Sequence, residues 1–391
     1  MSIFVVRALF RPNHKYAMRI GVDIRSLIEP YPSGVSVYTE KLLRAMVRIG
    51  SEHTFHLFCS GLTSLPRSIT HWLTAEPRVT LTHQRWPNKL SNLIHIGLGR
   101  PYLDTAVGGV DVWFMPNMMF GQVSRHTPLV LTVHDLSFRY PNFFNHRGNW
   151  WHRLVRPGHL MRQSQRIISV SENTKRDIVA TYGIAPERIT VIQLGIEAQL
   201  FAAVPDQAVE KIRNRYHLER PYVLSIGTVN PRKNIDGLIA AWGIVTRQTQ
   251  GAYELIIAGH AGMSRSNAQL SRVRFVDYVP EADKPAWYRG AAAFVYPSYF
   301  EGFGLPILEA MAARVPVVTS AAPALGEVGS DGVLMTDPYD AAGLAEAIFR
   351  VLQDHDLRRA LIARGSARVQ QFSWERAAQA TLATLMTASK L

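Results

Sequence analysis

The stretch Tyr296-Pro297-Ser298-Tyr299-Phe300-Glu301-Gly302-Phe303-Gly304-Leu305-Pro306-Ile307-Leu308-Glu309-Ala310-Met311-Ala312-Ala313 decides the class of fold. The apolar run Ala291 to Tyr296 reads as a strand, and Gly302 and Gly304 allow a tight turn after it. Pro306 suits the first helical position, where a missing N–H costs nothing, so a helix starts near Leu305. Strand, tight loop and helix make the repeating unit of a parallel α/β sheet. The unsatisfied N–H groups from about Phe303 to Ile307 point back over the strand end and, with the macrodipole, favour an anion such as phosphate. Glu309, one turn inside, is placed to accept from a vicinal diol, and Glu301 to reach hydroxyls on a second ring beyond the phosphates.

Either glutamate alone is explained as an ordinary first-turn or loop acid. A second phosphate signal upstream shifts the balance: Leu224-Ser225-Ile226-Gly227-Thr228-Val229-Asn230-Pro231-Arg232-Lys233-Asn234. A strand, Tyr222 to Ile226, ends in Gly227, and a helix runs from about Asn234 through Trp242, so Arg232 and Lys233 sit just before it. Arg would grip a diphosphate by its planar fork and Lys as a point charge. The two elements together predict one nucleotide diphosphate held from two sides.

The same alternation continues along the chain. Strands are expected at Arg19 to Asp23, Thr54 to Phe58, Val79 to His83, Val112 to Met115, Leu129 to Val133, Ile167 to Val170 and Thr190 to Ile192. After a polar segment from Ala203 to Arg220 the pattern restarts at Tyr222 to Ile226, Tyr253 to Ala258, Val273 to Phe275, Ala293 to Tyr296 and Val315 to Thr319. Helices fall between, notably Val37 to Ile49, His152 to Gln163 and Asn173 to Tyr182, the last capped by Ser171. Two doubly wound parallel sheets follow, with ligands expected in a cleft at the strand C-termini. Residues 1 to 17 mix Phe4, Val5, Val6, Leu9 and Phe10 with Arg7, Arg11 and Lys15; they read as an upstream extension without catalytic purpose, of a composition that suits a membrane interface.

Taken with Val133-His134-Asp135, Ile168-Ser169-Val170-Ser171-Glu172-Asn173-Thr174, the Pro32-Ser33-Gly34-Val35-Ser36-Val37-Tyr38 loop and the closing Phe372-Ser373-Trp374-Glu375, the chain from Met18 on resembles the retaining family 4 glycosyltransferases of the GT-B fold. Within that family it is most similar to bacterial mannosyltransferases of surface-polysaccharide or O-antigen assembly. The resemblance implies two Rossmann-like domains facing across a cleft. Residues 1–200 with 374–391 would bind the acceptor, because the last helix of such enzymes crosses back, and 205–373 would bind the donor.

By the same resemblance Arg232 and Lys233 neutralise the departing diphosphate, Glu309 takes the ribose hydroxyls, and Glu301 positions the transferred sugar together with the amides of Phe303, Gly304 and Leu305. Gly227, Thr228 and Gly302 belong to the same donor loops. Gly259 and His260 match a loop near the ribose and phosphates, and Tyr278 and Val279 the loop that contacts the base. On the acceptor side His134 is expected to bond the transferred sugar, with Gly34, Tyr38 and Asp135 beside it. Ser33 precedes a single glycine where the family often has two. The implied reaction moves a hexose, mannose from GDP-mannose first, onto a saccharide or polyprenyl-diphosphate-linked acceptor to form an α-linkage. A UDP-hexose or GDP-deoxyhexose donor, or a soluble sugar-phosphate acceptor, is the alternative. Front-face attack is implied, while double displacement through a carboxylate stays open.

No cofactor is expected beyond the nucleotide-sugar co-substrate, and no metal, since two fixed cations and a helix terminus take its electrostatic place and no Asp-x-Asp stands beside them. Cys59 is the only cysteine, which fits a reducing, cytoplasmic compartment, and no apolar run reaches the roughly 18 residues of a membrane span. The charge is lopsided: residues 1–200 carry 23 Lys and Arg against 12 Asp and Glu, the remainder 20 against 18. A basic first half suits the inner-leaflet surface or a lipid-diphosphate acceptor, so peripheral membrane contact is expected. It also raises the reading of a basic nucleic-acid binder, which the lack of any aromatic-and-basic recognition motif argues against. A nicotinamide-type oxidoreductase is disfavoured because no Gly-x-Gly-x-x-Gly follows the first strand.

Overall fold

The computed structural model describes residues 3–6, 17–28, 32–87, 100–143, 154–260 and 272–390. The chain forms two compact units, one of Met1–Leu136, His146–Gly195 and Trp374–Leu391, the other of Ser137–Asn145 and Ile196–Ser373. Against the expected boundaries of 1–200 and 205–373, the second unit begins at Ile196 and takes in a short excursion from the first half. Two 3-10 turns, Ser137–Arg139 and Pro141–Phe143, carry Tyr140 there, with its ring 5.4 Å from that of Phe300. The expected last helix, Trp374–Ser389, lies in the first unit.

The first unit holds β1 (Ile3–Val6), β2 (Arg19–Asp23), β3 (Thr54–Ser60), β4 (Val79–Gln84), β5 (Val112–Met115), β6 (Leu129–Val133), β7 (Arg166–Ser169) and β8 (Ile189–Val191), in the order β1-β4-β3-β2-β5-β6-β7-β8. All pairings are parallel except β1 with β4. Part of the presumed upstream extension is therefore an edge strand. The second unit holds β9 (Tyr222–Ile226), β10 (Glu254–Ala258), β11 (Val273–Val276), β12 (Ala293–Tyr296), β13 (Val317–Ser320) and β14 (Val333–Thr336), all parallel, in the order β11-β10-β9-β12-β13-β14.

The central strands are apolar and buried along their whole length, as both-face-covered parallel strands must be. Helix Ile235–Gln248 lays Leu238, Ala241, Trp242 and Val245 on the second sheet. Burying a side chain such as Leu238 or Val245 is worth about 1.5–3 kcal/mol. Helix Glu172–Tyr182 has the expected Ser171 cap, whose hydroxyl accepts from Thr174 N at 3.1 Å, and it stops at Gly183 in the left-handed conformation. The helix expected from His152 is seen at residues 154–155 and, after a break at Arg156 in the left-handed conformation, from Pro157 to Gln163, with residues 151–153 outside the described ones.

Strand order determines where a site can form. From β2 in the first sheet and from β9 in the second, the chain starts mid-sheet, works to one side, then returns to the middle and works to the other. The direction reverses between β2 and β5 in the first unit and between β9 and β12 in the second. Loops leaving two such neighbouring strands diverge to opposite faces and open a crevice at their C-terminal ends. Gly227–Lys233 follows β9 and Pro297–Gly304 follows β12, so both phosphate signals of the sequence emerge at the switch point of the second sheet.

Candidate active site

In the second unit the two loops meet through charge. Lys233 Nζ donates to Glu301 Oε1 at 2.5 Å, and Arg232 NH1 donates to Glu301 Oε2 at 3.2 Å. Lys233 also donates to the hydroxyl of Tyr296, and its Nζ is 4.5 Å from the centroid of that ring. Lys233 and Glu301 are 9% and 7% exposed, so each needs the other: an isolated buried charge is far costlier than a paired one. Burial alone would raise the Glu301 carboxyl; Arg232 and Lys233 override it and hold the group below the usual carboxylate range. The carboxylate expected to reach for sugar hydroxyls thus has both oxygens engaged by the cations expected to clamp the diphosphate.

Backbone bonds fix these loops. Tyr299 N donates to Arg232 O at 2.9 Å, and Asn234, in the left-handed conformation, donates through its side chain to Pro297 O at 3.2 Å and Pro338 O at 2.7 Å. Above the cluster Gly227 has φ +154, and beside it a Cβ on Gly259 would stand 2.0 Å from Gly227 O, so only glycine fits there. Val229 N donates to His260 O at 3.1 Å, which nests the loops after β9 and β10; Thr228 and His260 themselves are exposed. Gly302 is buried in the turn, and Gly304, with φ +110, is the residue before helix Leu305–Ala312. Phe303 is turned inward against Phe372, ring centroids 5.9 Å apart, which explains the Phe of the closing motif.

Glu309 occupies a separate buried cluster on the same helix. Tyr288, on helix Lys284–Arg289, donates its hydroxyl to Glu309 Oε2 at 2.7 Å. Lys284 pairs with Glu281 at 2.5 Å and acts on Glu309 from a distance. Burial is the dominant influence and raises the Glu309 carboxyl despite Lys284 and Tyr288. Tyr278 lies beside this cluster, its phenol raised by burial and by Glu281. Val279, expected in the base-contacting loop, is buried, so its side chain is not available to a ligand. Sequence reading missed Tyr296, Tyr288, Lys284 and the Asn234 tether.

In the first unit the loops at the switch point are joined by a pair the sequence reading passed over. Arg25 grips both oxygens of Asp23 and donates to Phe120 O at 2.5 Å, with both side chains buried. The only sequence signal was an acid and an Arg two apart at a strand end. His134 follows β6, and its Nε2 lies 2.9 Å from Pro116 O, so that nitrogen carries the proton and Nδ1 is the acceptor. Burial lowers the imidazole below its ordinary value, more than its bond to Pro116 O and the nearby Asp135 raise it, and keeps it neutral. Asp135 is half-buried beside it.

Tyr38 does not fit the expected acceptor contact. Its hydroxyl is 3.0 Å from Thr132 Oγ1, its ring meets His134 edge-on at 4.7 Å, and the side chain is buried. It is a wall that orients His134. Gly34 is exposed at the start of helix Gly34–Ile49, behind the Ser33 cap, and a Cβ there would meet open space.

The likeness to solved structures supports this architecture. The Anabaena protein HepE, crystallised in complex with UDP-glucose, superposes with a TM-score of 0.69 over 95% of this chain and 100% of its own, at 18% identity. The family described as Glycosyltransferase Family 4 matches residues 32–200, and that described as Glycosyl transferases group 1 matches 207–368. O-antigen chain mannosyltransferase B of Escherichia coli is 34% identical over 263 residues, 65% of this chain and 68% of its own. The chain belongs to the family 4 glycosyltransferases. This glycosyltransferase has the GT-B fold class, two Rossmann-like parallel sheets, and takes a nucleotide-sugar donor and a saccharide acceptor. It is also similar to D-inositol 3-phosphate glycosyltransferase of Kribbella flavida, 29% identical over 255 residues, 61% of this chain and 60% of the relative. Among its described residues no helix is long and apolar enough to cross a membrane.

Proposed function

We propose that this glycosyltransferase moves mannose from GDP-mannose, with retention of configuration and without a metal, onto a saccharide carried on a lipid diphosphate, forming an α-linkage in the assembly of a surface polysaccharide. One observation carries the donor half: Arg232, Lys233 and Glu301 converge at the switch point of the second sheet, beside the start of helix Leu305–Ala312. Fixed cations and helix N–H groups stabilise the negative charge that grows on a departing diphosphate. The choice of mannose rests on the 34% identity to the E. coli mannosyltransferase.

Glu301, held ionised by two cations, is a weak nucleophile, which favours front-face attack over a covalent intermediate. In that step the bond from the sugar carbon to the phosphate oxygen breaks, the bond to the acceptor oxygen forms on the same face, and the acceptor's proton passes to the leaving phosphate. Glu309 takes the ribose hydroxyls. His134, neutral, accepts a sugar hydroxyl through Nδ1. The basic first half is the surface for the anionic acceptor at the inner leaflet of the membrane.

Thermal unfolding with GDP, UDP and ADP, each with and without Mg²⁺, tests the donor. A ligand at 100 times its Kd adds about 2.7 kcal/mol. GDP alone is expected to stabilise most, and an α-anomeric product by NMR completes the reading. Stabilisation by UDP instead, or a β-product, overturns it. A second reading, transfer to a soluble sugar phosphate, is favoured by the similarity to the inositol-phosphate enzyme; turnover without any lipid carrier would select it.

A further inference from the structure

The Lys233 ammonium lies against a tyrosine as well as a carboxylate, and that choice of partner has a consequence. Tyr296 ends β12 and is 3% exposed. Its hydroxyl accepts from Lys233 Nζ, and its ring centroid is 4.5 Å from that nitrogen. Phe294 stacks on the ring at 5.8 Å and 22°, so the ring cannot turn away. On the other side Gly227 closes the roof: a Cβ there would come 3.6 Å from Lys233 Cε and 3.9 Å from Tyr296 Cε2.

A second carboxylate at this place would hold the ammonium equally well and cancel its charge. A phenol holds it by the dipole of its hydroxyl and adds no negative charge. Burial and the Glu301 charge keep that phenol protonated. We infer that Tyr296 is a positioning residue that fixes the Lys233 ammonium at the switch point without adding a second negative charge to the one Glu301 already supplies, so that the Arg232–Lys233–Glu301 cluster stays net positive toward the departing diphosphate. The inference rests on the donor-site reading above and adds to it the group that makes the lysine usable.

The hydroxyl and the ring separate by substitution: Tyr296→Phe removes the first, Tyr296→Leu both. Release of nucleoside diphosphate is followed from GDP-mannose and, in parallel, from UDP-glucose, so that a wrong donor is not read as a failure. Tyr296→Phe is expected to lower kcat about tenfold with donor KM within about twofold, the loss of one charge-assisted hydrogen bond felt mainly in the transition state. Its alkaline limb of activity should move to lower pH, because the ammonium has lost a partner that favoured its charged form. Tyr296→Leu should extend both effects. A Tyr296→Phe enzyme with wild-type kcat and pH profile overturns the inference if Lys233→Ala is impaired. Should Lys233→Ala also turn over normally, the donor-site reading itself falls, and the inference with it.

Discussion

Glu301 and Glu309 stand eight residues apart, both buried, and their surroundings push them in opposite directions. Two cations touch Glu301 directly and keep it ionised. Glu309 has a tyrosine hydroxyl in contact and a lysine that is already paired with Glu281, so desolvation wins and its proton is held more tightly. Burial is common to both; what differs is whether a full charge or only a dipole meets the carboxylate. The first arrangement suits leaving-group electrostatics. The second suits a group that exchanges hydrogen bonds with neutral hydroxyls.

The comparison breaks most visibly at Glu301. Glu301→Gln leaves Lys233 buried without a counter-charge, and removing one partner of a buried pair costs about 3–5 kcal/mol. Since the folded carboxyl lies below its ordinary value, this stabilisation is present above the ordinary carboxylate range and fades as pH falls through the lowered value. Urea unfolding at neutral and acid pH should show the gap between wild type and variant closing on acidification. A gap independent of pH would mean the pair is not what stabilises the loop.

Next in size is Lys233→Ala, expected to lower kcat roughly 10²–10³-fold, as for loss of one group aimed at developing charge, with a smaller change in donor KM. Glu309→Ala should do the reverse, raising donor KM while sparing kcat, and initial-rate kinetics on both separates them. Equal, minor effects would place the diphosphate elsewhere.

Glu309→Gln sharpens the contrast through its sign. A raised folded carboxyl costs stability as pH climbs from the ordinary range through the raised value, so at neutral pH the glutamine protein should match or exceed wild type, and the difference should vanish in acid. Loss of stability at neutral pH would show that Lys284 pairs with Glu309 more closely than with Glu281. Smallest is Tyr288→Phe, which removes one hydrogen bond to Glu309 and should cost about 0.5–1.5 kcal/mol by the same unfolding measurement.

Much of this was legible in the chain. Twelve of the fourteen strands among the described residues appear in sequence as apolar runs punctuated by Gly or polar loops. The exceptions have physical reasons. β14 is short, follows Asp331-Gly332 and exposes Met335, and β1 is an antiparallel edge whose existence depends on pairing with β4. Residue types at the site were readable; their pairing was not, because Lys233 and Glu301 meet through strand order, which local pattern does not encode. Tyr38 carried its own warning: Tyr38, Leu42, Ala45 and Met46 share one buried helix face, the spacing of a core stripe rather than of a ligand contact.

Helix Trp374–Ser389 lies in the first unit, bound there through Arg48 with Glu375 and through the Tyr38 and Trp374 rings, 6.2 Å apart. On a ribosome this inverts the usual order of assembly. The amino-terminal sheet emerges first, but one of its covering helices is encoded after the whole second unit, so that unit can reach its native packing while the earlier one still waits for residues 374–389. Nonsense changes near residue 373 should therefore injure the part of the enzyme made first.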